Sequence, residues 1–134
     1  MSEIETGTDY AALMPFAAAS GVRIVRATAD EVVGELDWAP ERTTAGGVLH
    51  GGAIMTLADS VGAVCAFLNL PDGATTSTTS SSTAFVRGVR SGTATALARP
   101  LHVGRSTIAV VTEIRDESGR LVAQVTQSQA VLGS

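Results

Sequence analysis

Along the chain, hydrophobic positions recur first at a helical spacing, then at a period of two, then at almost every position of one long segment, and then at a period of two again. From Asp9 to Ser20, Tyr10, Leu13, Met14 and Ala17 share one face, Asp9 can cap the start and Gly21 can end it. This predicts a short amphipathic helix within an N-terminal helical segment, residues 1–21. Val22 to Ala27 reads as a strand. Glu31 to Trp38 is a clearer one, with Val32, Gly34, Leu36 and Trp38 alternating with Glu31, Val33, Glu35 and Asp37. Ala39 to Leu49 carries Pro40, Gly46 and Gly47 and reads as loop.

From Gly51 to about Leu68 the chain is apolar or small nearly all round, through Ile54, Leu57, Ala58, Val61, Val64 and Phe67. A helix without a polar face is a buried helix. Strands follow at Thr75–Val86, Gly92–Val103, Ser106–Asp116 and Arg120–Leu132, with Ile108, Val110, Thr112 and Ile114 on one face of the third. Glu117-Ser118-Gly119 turns the last two into a hairpin. The order helix, two strands, central helix, four strands predicts an α+β architecture, an antiparallel sheet curled around one buried helix, in a single domain spanning residues 1–134. Strand order is not readable from this pattern.

Composition narrows the chemistry. The net charge of -4 argues against nucleic acid as the main partner, since phosphate backbones select a basic footprint. All 9 basic residues are arginine, which excludes a Schiff-base or P-loop lysine. The single cysteine, Cys65, permits no internal disulfide and fits a reducing compartment; it reads as a small core hydrophobe. Two histidines and one cysteine lack metal-site spacing, so neither a metal nor another cofactor is expected. The acidic start, Met-Ser-Glu-Ile-Glu, does not resemble a secretory signal, and the expected location is cytoplasmic. The stretch from Gly51 to Leu70 is apolar enough to raise the question of a membrane span. Asp59 near its middle argues against one, at a cost of about 2.5 kcal/mol or more at a bilayer centre.

Asp59 is the only acidic or basic side chain between Gly51 and Leu70. A carboxylate in such a setting is paired, hydrogen-bonded or functional; a buried Asp satisfied by neighbouring backbone fits as well. His50-Gly51-Gly52 precedes the helix. The glycines let a ligand approach the backbone, and the helix start offers free N–H groups suited to a developing oxyanion; a flexible turn with histidine at the N-cap is the plainer alternative. Gly51 and Asp59 are separated by about 12 Å at 1.5 Å per residue. They cannot reach one carbonyl carbon from the same helix, so a shared site needs Asp59 from another copy of the chain and at least a dimer. No Asp or Glu occurs from Gly73 to Thr112, where Arg87, Arg90, Arg99, His102 and Arg105 lie. This basic stretch suits a polyphosphate ligand, or else a solvated strand face or a subunit contact. Thr75 to Thr83 is an unbroken run of hydroxyl residues, read as a strand lining a polar site or interface.

Gly47-Val48-Leu49-His50-Gly51-Gly52-Ala53, followed by Leu57-Ala58-Asp59, resembles the signature of hotdog-fold thioesterases of the phenylacetic-acid-degradation and 4-hydroxybenzoyl-CoA types. The resemblance continues through Phe85 to Gly92, His102 to Arg105 and Gly119 to Ala123. It implies a sheet wrapped around a central helix and hydrolysis of an acyl-CoA thioester, with Asp59 as general base or nucleophile. It implies further that the Gly51 N–H polarises the carbonyl from the opposing subunit, that His50 shapes the loop, and that Thr78 or Ser77 positions water. Arg87, Arg90, Arg105 and Ser106, beside Gly104, would meet the CoA nucleotide. A homodimer, often doubled to a homotetramer, is implied as well. Thr44 stands where related enzymes usually carry Asn or Gln, Gly88 where proline is common, and Ala63 where the 4-hydroxybenzoyl type has a hydroxyl; the last favours the phenylacetate type. Met55, Leu57, Phe67, Leu13 and Phe16 are candidates for an acyl pocket suited to a medium-chain or aryl group. Rival readings are a hotdog dehydratase, for which His50 is poorly spaced from Asp59, and a non-catalytic acyl-CoA binding module, which Thr44 supports.

Overall fold

A computed structural model describes residues 8–133. Helix α1 spans Pro15–Ser20, strands β1 and β2 span Arg23–Ala27 and Val32–Asp37, and helix α2 spans Gly51–Phe67. Strands β3 to β6 follow at Thr75–Phe85, Thr93–Val103, Thr107–Arg115 and Leu121–Leu132. A 3₁₀ turn at Pro40–Arg42 interrupts the loop before α2. All six strands join one antiparallel sheet in the order β1-β2-β4-β5-β6-β3, and α2 lies across it. The predicted α+β architecture is the observed one.

The sheet is notched where the helix lands. Val32, Gly34 and Leu36 of β2 point inward, as their alternation predicts, and a Cβ on Gly34 would stand 2.5 Å from Val61 Cγ2. Ala94, Ala96 and Ala98 of β4 are fully buried on the same side. Small side chains in these rows let the helix backbone approach the strands, while Leu57 and Val61 fill the space between Leu36, Ile108, Val110 and Ile114. Cys65 belongs to this core, and burial pushes its thiol up to about 12.

Two expectations change. The N-terminal helix is shorter than its apolar pattern because Pro15 holds Met14 extended (φ -117°, ψ 91°). Asp9 instead caps a preceding turn, accepting from the Ala12 N–H at 3.1 Å, while Gly21, at φ 92°, ends α1 as predicted. Residues 1–7 of the expected N-terminal segment lie outside the described residues. The second change concerns α2, which is not wrapped all round. The sheet covers one side and α1 part of another, leaving Gly52, Met55, Asp59 and Phe67 exposed along a stripe. Within one chain, therefore, Asp59 is not a buried carboxylate. Among the described residues no helix is long and apolar enough to cross a membrane.

Candidate active site

The start of α2 is shaped by His50. Its backbone N–H donates to the Arg42 carbonyl at 2.8 Å, and its Nδ1 accepts from the Gly52 N–H at 2.8 Å, so the imidazole is the N-cap. Among the described residues the Gly51 N–H has no acceptor, and it stands at the positive end of the helix. The half-exposed ring of Phe85 covers this turn, and a Cβ on Gly51 would meet its Cζ at 3.3 Å.

Two turns further on, Asp59 receives two hydrogen bonds on one oxygen. Thr78 Oγ1 donates to Oδ1 at 2.9 Å and Gln127 Nε2 donates to the same atom at 3.0 Å. Oδ2 has no partner among the described residues, and no arginine pairs with the carboxylate. Thr78 reaches Asp59 because β3 carries a bulge against β6. Thr78 pairs with Gln129 and Ser80 with Ser128, leaving Thr79 over at the point where the strand passes the helix. Ser77, pairing with Ala130, has the opposite parity and is not part of the cluster. Of the two residues, Thr78 is the one hydrogen-bonded to Asp59.

Gln127 and Gln129, both buried, were missed by sequence reasoning. Their signal was parity: Ala123, Val125 and Val131 mark the inward face of β6, and two amides continue the same row.

Asp59 lies between two hollows on the open face of α2. An open cleft of about 560 Å³ adjoins the helix start, lined in part by His50, Gly52, Thr56, Phe16 and Arg42. Toward the helix end, Tyr10, Leu13, Met14, Ala63, Val64 and Phe67 form an almost wholly apolar pocket of about 220 Å³. Of the acyl-pocket candidates, Leu13 and Phe67 line this pocket, Phe16 borders the cleft and Met55 is on the exposed stripe. Leu57 does not qualify, since it is fully buried in the core.

Thr44 closes the turn before α2, its N–H donating to the Val48 carbonyl at 2.9 Å and its carbonyl accepting from Gly47 at 3.1 Å. Its hydroxyl makes no hydrogen bond among the described residues. Arg87 and Arg90 line an open pocket of about 400 Å³ with Arg120, Asp116 and Glu117. The stretch that lacks acids in sequence thus meets two in space. Both are engaged: Asp116 accepts from the Ser118 and Arg120 N–H groups and from Arg120 Nε, and Glu117 accepts from the Thr93 N–H at 3.1 Å. The Arg120 backbone N–H, first among these contacts, holds the Asp116 carboxyl below its ordinary range. Among the described residues, Arg87 and Arg90 have no carboxylate partner.

Gly104, Arg105 and Ser106 form the turn between β4 and β5, closed by the Gly104 N–H on the Thr107 carbonyl at 2.9 Å. The eleven residues of β4 separate this turn from the Arg87–Arg90 loop, roughly 35 Å at 3.3 Å per residue. One chain therefore does not bring the predicted nucleotide ligands together. Among the described residues no group of three His, Cys, Asp or Glu side chains is arranged to hold a metal ion.

A family model described as thioesterase superfamily matches residues 46–123. The proofreading thioesterase EntH of Cronobacter sakazakii is 36% identical over 87 residues, covering 65% of this chain and 64% of EntH. Against another curated relative the chain spans only about half, 51%, of that protein's length. A thioesterase crystal structure from Haemophilus influenzae superposes with a TM-score of 0.84 at 27% identity, covering 88% of this chain and 82% of that one. The PaaI protein of E. coli superposes with a TM-score of 0.81 at 23% identity, covering 90% and 86%, a likeness of fold.

Proposed function

This chain belongs to the thioesterase superfamily, and on that footing we propose that it hydrolyses a medium-chain or aryl acyl-CoA thioester to free acid and CoA, with Asp59 as the working carboxylate. The observation that carries this reading is the state of Asp59. It is anchored through one oxygen by two neutral donors and, among the described residues, pairs with no cation and keeps its second oxygen free on an open helix face. Two neutral donors on one oxygen hold the carboxylate in a fixed orientation while the other oxygen stays open to solvent and substrate.

In the proposed reaction Oδ2 takes a proton from water as the water oxygen attacks the thioester carbonyl. The C–S bond then breaks, and the CoA sulfur leaves and gains a proton. Direct attack by Oδ2, forming a mixed anhydride that water opens, gives the same products. Either route builds negative charge on the carbonyl oxygen. The free Gly51 N–H at a helix start suits that charge, but it belongs to a second copy of the chain because of the spacing along α2. Thr44 closes the turn that precedes this helix start.

An antiparallel pair of α2 helices, in a homodimer or a homotetramer built from it, also accounts for the divided arginines. Reversing one chain brings its Arg105 turn, with Gly104 and Ser106, to the same end as its partner's Arg87–Arg90 loop. The CoA phosphates would then lie between subunits, where arginine forks can pair with them. The apolar pocket at Ala63, Val64 and Phe67, one to two turns beyond Asp59, supports an apolar acyl group.

The test is free-thiol release from a panel of acyl-CoA thioesters by wild type and Asp59→Asn. Turnover in the wild type and a loss of about 100-fold or more in the variant are expected. Equal turnover in both removes Asp59 from the mechanism, whereas saturable binding with no turnover on any thioester favours a binding module.

A further inference from the structure

Burial poses a question at β6. Gln127 is 1% exposed and Gln129 is 0% exposed, yet the row they continue, Ala123, Val125 and Val131, is apolar. Putting a primary amide there costs stability unless its donors and acceptors find partners. The partners they find converge on one atom. Gln127 Nε2 donates to Asp59 Oδ1 at 3.0 Å. Gln129 Nε2 donates to Thr78 Oγ1 at 2.7 Å, and Thr78 Oγ1 donates onward to Asp59 Oδ1 at 2.9 Å. Thr76 Oγ1 donates to the Ala130 carbonyl at 2.8 Å and lies 3.1 Å from Gln129 Oε1, beside that amide.

The direction of these bonds matters. A threonine hydroxyl has one proton and is free to rotate. With Gln129 donating into the Thr78 oxygen, the hydroxyl proton is turned away from β6 and toward Asp59. An ionised carboxylate accepts only, so the Gln127 amide must present its NH₂ to Asp59, and among the described residues its Oε1 is left buried without a partner. That orphaned oxygen is a cost which packing alone would not select.

The helix makes room for the contact. A Cβ on Gly62 would lie 1.9 Å from Gln127 Oε1 and 2.6 Å from its Cδ. Glycine inside a helix is less favourable than alanine. A notch in α2 and an unpaired oxygen in the core are thus both tolerated at the place where one amide reaches one carboxylate.

We propose that Gln127 and Gln129 are positioning residues for Asp59: they fix Oδ1, Gln127 directly and Gln129 through Thr78, so that Oδ2 is presented as the reacting oxygen, and Gly62 is the notch that admits Gln127. This rests on Asp59 being the working carboxylate. Gln127→Met keeps length and volume but removes the donor. It is expected to lower kcat about tenfold or more with KM changed less than about twofold, since misplacing a reacting group acts on the chemical step. Gln129→Leu should lower kcat by a smaller factor, and that loss should vanish in a Thr78→Val background. Gly62→Ala leaves the Gln127 side chain chemically intact but displaces its amide. It should lower kcat in the wild-type background and cause no further loss in a Gln127→Ala background, where the space is vacant.

If Gln127→Met does not fold, as judged by circular dichroism, Gly62→Ala and Gln129→Leu carry the test. Wild-type kcat in the folded single variants, or an equal Gly62→Ala effect in both backgrounds, overturns the proposal. If Asp59→Asn is inactive while these variants are unimpaired, only the positioning role fails. If Asp59→Asn itself turns over normally, both readings fail.

Discussion

The two oxygens of Asp59 are not equivalent, and the residues that make them so differ in how visible they were in the sequence. Asp59 itself stood out as the one charge in an apolar helix. Thr78 could not be told from Ser77, because the parity of β3 reverses at a bulge that no residue in an unbroken run of Ser and Thr announces. Gln127 and Gln129 were legible only as polar positions on an inward row, a signal obscured by the polar Gln124, Thr126 and Ser128 on the opposite face. The hydroxyl contact has its own consequence. Thr78→Val should lower kcat about tenfold, Thr78→Ser should restore most of it, and Ser77→Ala should stay within about twofold of wild type, measured as thiol release under saturating substrate. A Ser77→Ala defect as large as that of Thr78→Val would place the strand in the other register.

At the level of elements, the apolar pattern located the central helix and most strands, whereas β3 was legible only through the strand preference of its threonine-rich run. The apolar pattern overextended α1, where the restriction that Pro15 places on Met14 outweighs an amphipathic pattern. It also overstated the burial of α2, since small residues such as Gly52 and Ala63 suit an uncovered face as well as a core. The β1–β2–β4 edge is tied by charge. Arg23 donates to Asp37 Oδ1 and Oδ2 at 3.0 Å each and to Glu35 at 2.9 Å, and Thr93 Oγ1 donates to Asp37 Oδ1 at 2.8 Å. Arg23 first, then Thr93, holds the Asp37 carboxyl below its ordinary value. A carboxyl with a lowered folded-state value stabilises the fold above the unfolded-state value and loses that contribution as pH falls through the folded one. Asp37→Asn should therefore lower stability by a roughly constant amount from neutral pH upward and flatten the acid side of a profile from urea unfolding. The effect should be small, because the pair is solvent-exposed. An unaltered acid limb would show that the pair contributes nothing to folding.

For the molecule as a whole, strand order and the open face of α2 could not be read from a linear pattern, because pairing partners along a sheet are set by three-dimensional packing. The arginines show the same limit. Arg87, Arg90 and Arg105 look like one basic cluster in sequence but occupy opposite ends of β4, and the first two share their pocket with Asp116 and Glu117. A site divided between antiparallel protomers predicts complementation. Inactive Asp59→Ala chains mixed with chains blocked at the helix start by Gly51→Pro should regain part of the activity through hybrid dimers that hold one intact site. No recovery, with subunit exchange demonstrated by mass-tagged chains, would mean that each site is built within a single chain.

The fixed rise of α2 between Gly51 and Asp59 has a kinetic corollary. On the proposed two-chain site, a lone protomer would hold the proton acceptor without the opposing Gly51 N–H, so the solitary species should be idle. Specific activity should therefore decline on dilution, and in the most dilute limit the rate should scale with the square of total protein. The association constant would become readable from an ordinary enzyme assay.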